Sequence, residues 1–275
     1  MHDPFQRIVC LTEEPTEILY LLGEERRIVG ISAYTERPAQ AKRDKPVVSA
    51  FVGGSLSKIQ ALEPDLVIGF SDVQARFAGE LIAAGLQVLI FNQRSVADIL
   101  NVLVAVGRLV GAEARARALV ASYEARITAA RARAAQRAER PRVYFEEWDE
   151  PSVCGIRWVS ELIEIAGGVD VFRERSLAPM AKGRVVRPDE ILASAPDVVL
   201  ASWCGKPFDR AAFLARPGFD ALPAVIHDRI HALDPTIILQ PGPACLTAGL
   251  DLLAQLLAEG ACSGAAHVDE ALMES

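Results

Sequence analysis

The amino-acid sequence predicts an α/β protein made of two lobes with mainly parallel sheets, joined by one long helix. Three observations carry this reading. The segment "LEPDLVIGF" beginning at Leu62 returns, displaced by 132 positions, as "SAPDVVLAS" beginning at Ser194. Short apolar runs alternate with helical stretches around both copies. Between the copies lies a stretch rich in Ala and Arg that contains no proline.

The elements follow in order. Residues 7–11 ("RIVCL") read as a strand, 16–22 as a helix closed by Gly23, and 27–32 ("RIVGIS") as a second strand. A polar, Pro-punctuated loop fills 33–46. In each copy of the repeat a short helical lead-in meets Pro-Asp, and the residue before a proline is steered out of the helical region. The branched apolar run that follows reads as a strand buried on both faces. A helix over 73–84 closed by Gly85 and the strand "QVLIF" at 87–91 complete a first lobe of residues 1–94. Strands alternating with helices require crossover connections, and hence parallel pairing.

Residues 95–140 form the connecting segment, interrupted only by Gly107 and Gly111. After Gly111 the composition favours a helix of about 28 residues, which at 1.5 Å per residue spans about 40 Å. The second lobe, residues 141–275, restarts with a strand at 142–147 and a helix at 159–165 closed by Gly167 and Gly168. The second repeat copy, a strand at 229–234 and a helix over 244–258 follow. The C-terminal segment from residue 259 is small and polar and receives no role.

Composition excludes several function classes. With 29 basic against 36 acidic residues the net charge is −7, unlike the clustered positive charge that binds nucleic acid or anionic membranes. No apolar run is long enough to span a bilayer. The opening "MHDPFQRIVCLTEEP" has no basic start followed by an apolar core, so the chain as written is expected in the cytoplasm, or in the periplasm where a leader has been removed. Five cysteines without CxxC spacing suit reduced thiols rather than a disulfide framework.

Ligands of open parallel sheets sit beyond the carboxyl ends of the strands. Those ends carry Thr12–Glu14, Tyr34, Phe70–Asp72, Asn92 and Gln93, Glu147 and Trp148, Trp203 and Cys204, and Asp234–Thr236. This mixture of aromatic and polar residues suits a large ligand held by stacking and hydrogen bonds. "EEWDEP" gathers Glu146, Glu147, Asp149 and Glu150 around Trp148, and Cys204 precedes a glycine after a strand. Together they define an alternative, a metal-dependent enzyme. No G-x-S-x-G, P-loop, G-x-G-x-x-G or H-E-x-x-H motif occurs, which favours a binder over an enzyme and leaves catalytic and metal roles unassigned.

The paired segments "KIQALEPDLVIGF" and "EILASAPDVVLAS", the long Ala/Arg-rich helix and the opening "RIVCLTEEPTEILYLLGEERRIVGISAYTERP" resemble the helical-backbone class of ABC-transporter substrate-binding proteins, which carry cobalamin, iron-siderophores and haem. With "FVGGSLSKIQALEPDLVIGF", the opening looks most like the cobalamin-binding branch. The resemblance runs from about residue 7 to 258. It implies two Rossmann-like lobes with a ligand cleft between them, no covalent cofactor, and a monomer that takes a corrinoid as ligand.

By position, the resemblance implies that Tyr34 is an aromatic ligand contact and that Phe51 and Phe70 stand where the family uses Trp. Trp148 lies in another ligand-facing segment, and Trp158, Trp203 and Cys204 complete the expected lining. Where the family has a Trp ahead of the second lead-in, this chain reads "AKGRVVRPDE". An ABC permease is the partner implied, docking on an acid of each lobe. Asp189 or Glu190 serves in the second lobe, while Ser57, followed by Lys58, stands at the first-lobe position. The alternative ligand is an iron-siderophore or haem-type chelate met by Arg37, Arg157, Arg184 and Lys206.

Overall fold

A computed structural model describes residues 5–258; the C-terminal segment from residue 259, with Cys262, lies outside the described residues. The chain forms two compact units. One comprises the residues through Arg126 together with Asp234–Thr247, the other Ile127–Leu233 and the chain from Ala248.

The first unit contains β1 (Ile8–Cys10), α1 (Glu13–Leu21), β2 (Ile28–Ser32), α2 (Ala41–Asp44), β3 (Val47–Ser49), α3 (Leu56–Ala61), β4 (Leu66–Phe70), α4 (Ala75–Ala83), β5 (Val88–Phe91) and α5 (Val96–Leu109). Its sheet has the order β3-β2-β1-β4-β5, parallel throughout. Val9, Leu11, Ile59, Val67 and Leu81 form its core, where the continuous apolar runs of β1 and β4 are covered on both faces. α5 opens on a capping box of Ser95 and Asp98.

The boundary between the units falls inside α6 (Glu113–Ala134). This helix has 22 residues, shorter than its composition predicts. Residues after Ala134 are used otherwise: Arg137 donates to the carbonyls of Ala166 and Ala254, and Arg140 to that of Gly168. Pro141 then bars continuation. Gly107, expected as an interruption, lies within α5, where a Cβ would come 2.4 Å from Cβ of Ala116 on α6. Gly111, at φ +72°, makes the break between the helices.

The second unit contains β6 (Arg142–Asp149), β7 (Ser152–Cys154), α7 (Arg157–Ile165), β8 (Val169–Asp170), α8 (Arg173–Ser176), α9 (Pro188–Ser194), β9 (Val198–Ala201), α10 (Arg210–Leu214), α11 (Pro223–Ile226) and β10 (Ile230–Ala232). α12 (Pro235–Ile238) returns to the first unit, and α13 (Leu250–Leu256) packs on α7 in the second. The sheet order is β10-β9-β6-β7, with β8 also on β6; only the β6–β7 pair is antiparallel. Its core combines Tyr144, Val199, Phe213 and Phe219.

Three elements depart from the sequence expectation. β6 runs on through Trp148 to Asp149 and folds back as β7, so "EEWDEP" is the tip of a hairpin rather than a plain strand end. β3 lies in a segment expected as loop running into the repeat. The last helix is preceded by a π-helical turn at Cys245–Gly249.

The repeat has one physical basis in both copies. Glu63 and Ala195, each preceding the proline, take φ of +44° and +39° and end the lead-in helix. Asp65 then accepts hydrogen bonds from the backbone of Gln6 and Arg7, and Asp197 accepts one from the backbone of Arg142. The guanidinium of Arg7 caps the carbonyls of Leu62 and Glu63, and that of Arg142 the carbonyl of Ser194. Pro-Asp is therefore a clasp that fastens β4 to the start of β1, and β9 to the start of β6.

Candidate functional site

At the carboxyl edge of the first unit's sheet, Tyr34 is half exposed at 51% and meets Phe51 edge to face, with centroids 6.5 Å apart. Val52, beside Phe51, is 64% exposed. Tyr34 and Val52 are thus exposed apolar groups, with the half-buried Phe51 between them. Phe70 differs, being 6% exposed with the Arg94 guanidinium 5.2 Å above its ring. Arg94 in turn pairs with Asp72 at 2.6 Å. Phe70 thus serves packing at the strand end more than it offers an open face.

Beneath this edge, α1 begins with three acids in low-dielectric surroundings. Burial pushes Glu13 up to about 8, helped by the charge of Glu17 and opposed by Arg37. Burial likewise lifts Glu14 and Glu17 to about 7 each. Glu13 accepts from the backbone of Arg37 at 2.9 Å, and Glu17 from the backbone of Ala244. Arg37 donates to the Thr236 hydroxyl at 3.0 Å, and Gln93 to the Pro241 carbonyl at 3.1 Å. The late segment Asp234–Thr247 is thereby bound to α1 and to the ends of β2 and β5.

In the second unit, Glu146 is fully buried and completely engaged. Its carboxylate accepts from Tyr144 Oη (2.8 Å), Trp203 Nε1 (3.0 Å) and both terminal nitrogens of Arg216 (2.6 and 3.0 Å). Arg216 also lies over Phe213 and Phe219. Glu147 takes a bidentate pair from Arg184, itself 2% exposed. Asp149 pairs with Lys206 at 2.7 Å, which against desolvation holds its carboxyl below the usual value. The Lys206 ammonium stands 4.5 Å from the Trp148 ring and 4.8 Å from that of Trp203, bringing those two tryptophans to one cation.

Trp148 is half buried, whereas Trp203 and Trp158 are each 3% exposed; Trp158 lies in the first turn of α7. Cys204 is exposed, and desolvation with the nearby Glu147 charge raises its thiol, keeping it protonated at neutral pH. Cys10, Cys154 and Cys245 are buried thiols pushed up to about 12. Among the described residues no group of three or more His, Cys, Asp or Glu side chains is placed to hold a metal ion. Three of the four "EEWDEP" carboxylates have cationic partners: Glu146 with Arg216, Glu147 with Arg184 and Asp149 with Lys206.

The expected docking acids lie on α9. Asp189 accepts from Nε and Nη2 of the Arg187 guanidinium, which holds its carboxyl below the usual range. Glu190 accepts from the Arg187 backbone and pairs with Arg175. Ser57 and Lys58 are exposed on α3.

Residues 8–237 match the family described as Periplasmic binding protein. The chain belongs to that family. A relative in Bacillus subtilis (strain 168), named an uncharacterized ABC transporter substrate-binding lipoprotein YvrC, is 26% identical over 91% of this chain and 79% of its own. The vitamin B12-binding protein of Vibrio parahaemolyticus is 24% identical over 91% of this chain and 89% of its own. Among solved structures, the periplasmic heme-binding protein RhuT from Roseiflexus sp. RS-1, in apo form, superposes with a TM-score of 0.77 at 26% identity, covering 92% of this chain and 98% of that one. As in the family at large, the fold is α/β with mainly parallel sheets. No helix among the described residues is long and apolar enough to cross a membrane.

The sequence reading singled out the aromatic residues but missed Gln74, which bonds the backbone of Phe51 and Phe70, Arg94, which lies over Phe70, and Arg216, which shares the Glu146 carboxylate with Trp203. A lone Gln or Arg outside any motif gives no signal of such a role.

Proposed function

We propose that this periplasmic binding protein binds cobalamin or a related corrinoid through the aromatic residues at the carboxyl ends of its sheets, and delivers it to an ABC permease or serves as a relative of such receptors. The observation that carries the reading is a pairing of surfaces with charges. Tyr34, Phe51 and Trp148 offer aromatic surface, while the four cations expected to meet an anionic chelate each have a partner. Arg37 is engaged with Glu13 and Thr236, Arg184 with Glu147, Lys206 with Asp149, and Arg157, at the start of α7, with Glu161. A haem propionate or an anionic chelate would have to compete with the carboxylates of Glu147, Asp149 and Glu161 for three of those cations, while Glu13, raised to about 8, faces Arg37 mostly as the neutral acid at pH 7. A corrin ring fringed with neutral amides needs only apolar contact and hydrogen bonds. Relatives named as vitamin B12-binding proteins support the same reading. For docking, Asp189 on α9 is the exposed acid, which a permease arginine would share with or take from Arg187, with α3 offering Ser57 in its place on the first unit.

Titration of the protein with cyanocobalamin, followed by tryptophan fluorescence corrected for absorption and run against haemin, tests the reading. Saturable quenching by cyanocobalamin, weakened at least tenfold in Tyr34→Ala/Phe51→Ala, is expected. No binding of cyanocobalamin, or displacement of it by equimolar haemin, would overturn it.

A further inference from the structure

We infer that Gln74 is the positioning residue that sets the Tyr34–Phe51 wall in place for its ligand. This rests on the proposed reading that the wall meets the ligand. Gln74 is fully buried where β4 gives way to α4. Its amide joins three strand ends at once. Nε2 donates to the carbonyl of Phe51 at 2.9 Å and, at 3.5 Å, to that of Leu11, while Oε1 accepts from the backbone of Phe70 at 3.1 Å. The loop after β3, which carries Phe51, is thus tied to the middle of the sheet by a side chain that follows β4, three strands along the sheet. Tyr34 follows because its ring rests against Phe51.

The chain is shaped around this amide. Ser71 takes φ +69°, turning the backbone so that Gln74 folds back under the strand it has just left. At position 69 a Cβ would lie 2.3 Å from Gln74 Oε1 and 2.8 Å from Ile90 Cδ1, so the glycine in "LVIGF" makes room for it. Only a side chain with a donor and an acceptor on one planar group satisfies both Phe51 and Phe70. A leucine of similar size leaves both backbone groups buried and unpaired. A glutamate supplies the missing donor only when protonated, and burial favours that form.

The distinguishing experiment compares Gln74→Leu and Gln74→Glu with the wild-type chain in cyanocobalamin binding from pH 5 to pH 8, with thermal melts run in parallel. Gln74→Leu is expected to bind at least tenfold more weakly at every pH while still melting cooperatively. Gln74→Glu, relative to wild type at each pH, is expected to match it near pH 5 and fall away towards pH 8. A merely structural role would lower Tm without that pH-dependent ratio. Wild-type affinity in Gln74→Leu, or a pH-independent ratio in Gln74→Glu, overturns the inference. Should Gln74→Leu fail to fold, the Gln74→Glu ratio decides alone. If the wild-type chain does not bind cyanocobalamin, the corrinoid reading falls, and the nuclear Overhauser contact between the Tyr34 and Phe51 rings decides the positioning role. Its loss in Gln74→Glu at pH 8 with return at pH 5 upholds that role, and its persistence at both overturns it.

Discussion

The two units use one strand plan and finish it with opposite chemistry. In the first, β2 and β4 flank β1; in the second, β8 and β9 flank β6, and both carry the Pro-Asp clasp. At the carboxyl ends the likeness stops. The first unit is stitched by the neutral amide of Gln74, the second by the Glu146 carboxylate and the Arg216 guanidinium. A repeat conserves what the sheet needs for assembly and leaves free the edge where each sheet meets solvent or ligand.

That contrast can be tested by removing each centre. Glu146→Ala leaves the part-buried Arg216 guanidinium uncompensated, together with the buried Tyr144 hydroxyl and Trp203 indole, and is expected to cost about 3 kcal/mol. Chemical denaturation monitored by tryptophan fluorescence measures it, and a loss below about 1 kcal/mol would mean that solvent replaces the pair.

The next effect belongs to the first unit alone. Glu13, Glu14 and Glu17 titrate near 8, 7 and 7 in the fold against an ordinary 4.5. Raised folded values favour the protonated forms, so their stabilising contribution is complete below about pH 4.5 and is lost as pH rises through 7 to 8. Between pH 5.5 and 8.5 the melting temperature is expected to fall, and Glu14→Gln should flatten the fall. The Asp149 carboxyl, depressed by Lys206, works the other way only in more acidic solution. A melting temperature that rises over this range would contradict the burial of these acids.

The smallest effect tests what the units share. Asp65→Ala and Asp197→Ala each remove the acceptor that clasps one strand to another and are expected to cost about 1–2 kcal/mol apiece, nearly additively. Unequal costs in urea titrations would show that the two copies of the clasp have diverged in strength.

Much of this was legible beforehand because it is written in local terms. The apolar runs of β1, β4 and β9, and the Pro-Asp turns, depend on neighbouring residues, and each lies within one or two residues of its expected place. Other features depend on distant partners. β3 and β7 are three residues long and exist only because β2 and β6 lie beside them. Likewise, α1 starts three residues early because Pro15 in a first turn breaks no helical hydrogen bond. At the site, exposed Tyr34 and half-buried Trp148 follow from aromatic residues beside strand ends. That Phe70 sits under Arg94, or that Trp203 spends its indole N–H on Glu146, follows from residues 24 and 57 positions away.

The return of Asp234–Thr247 to the first unit carries a consequence for biosynthesis. Glu17, Arg37 and Gln93 emerge from the ribosome early, yet their partners Ala244, Thr236 and Pro241 are translated more than a hundred residues afterwards. Nascent chains halted before residue 234 should therefore hold a sheet whose carboxyl rim is still open, sealed only as the final stretch of messenger is read.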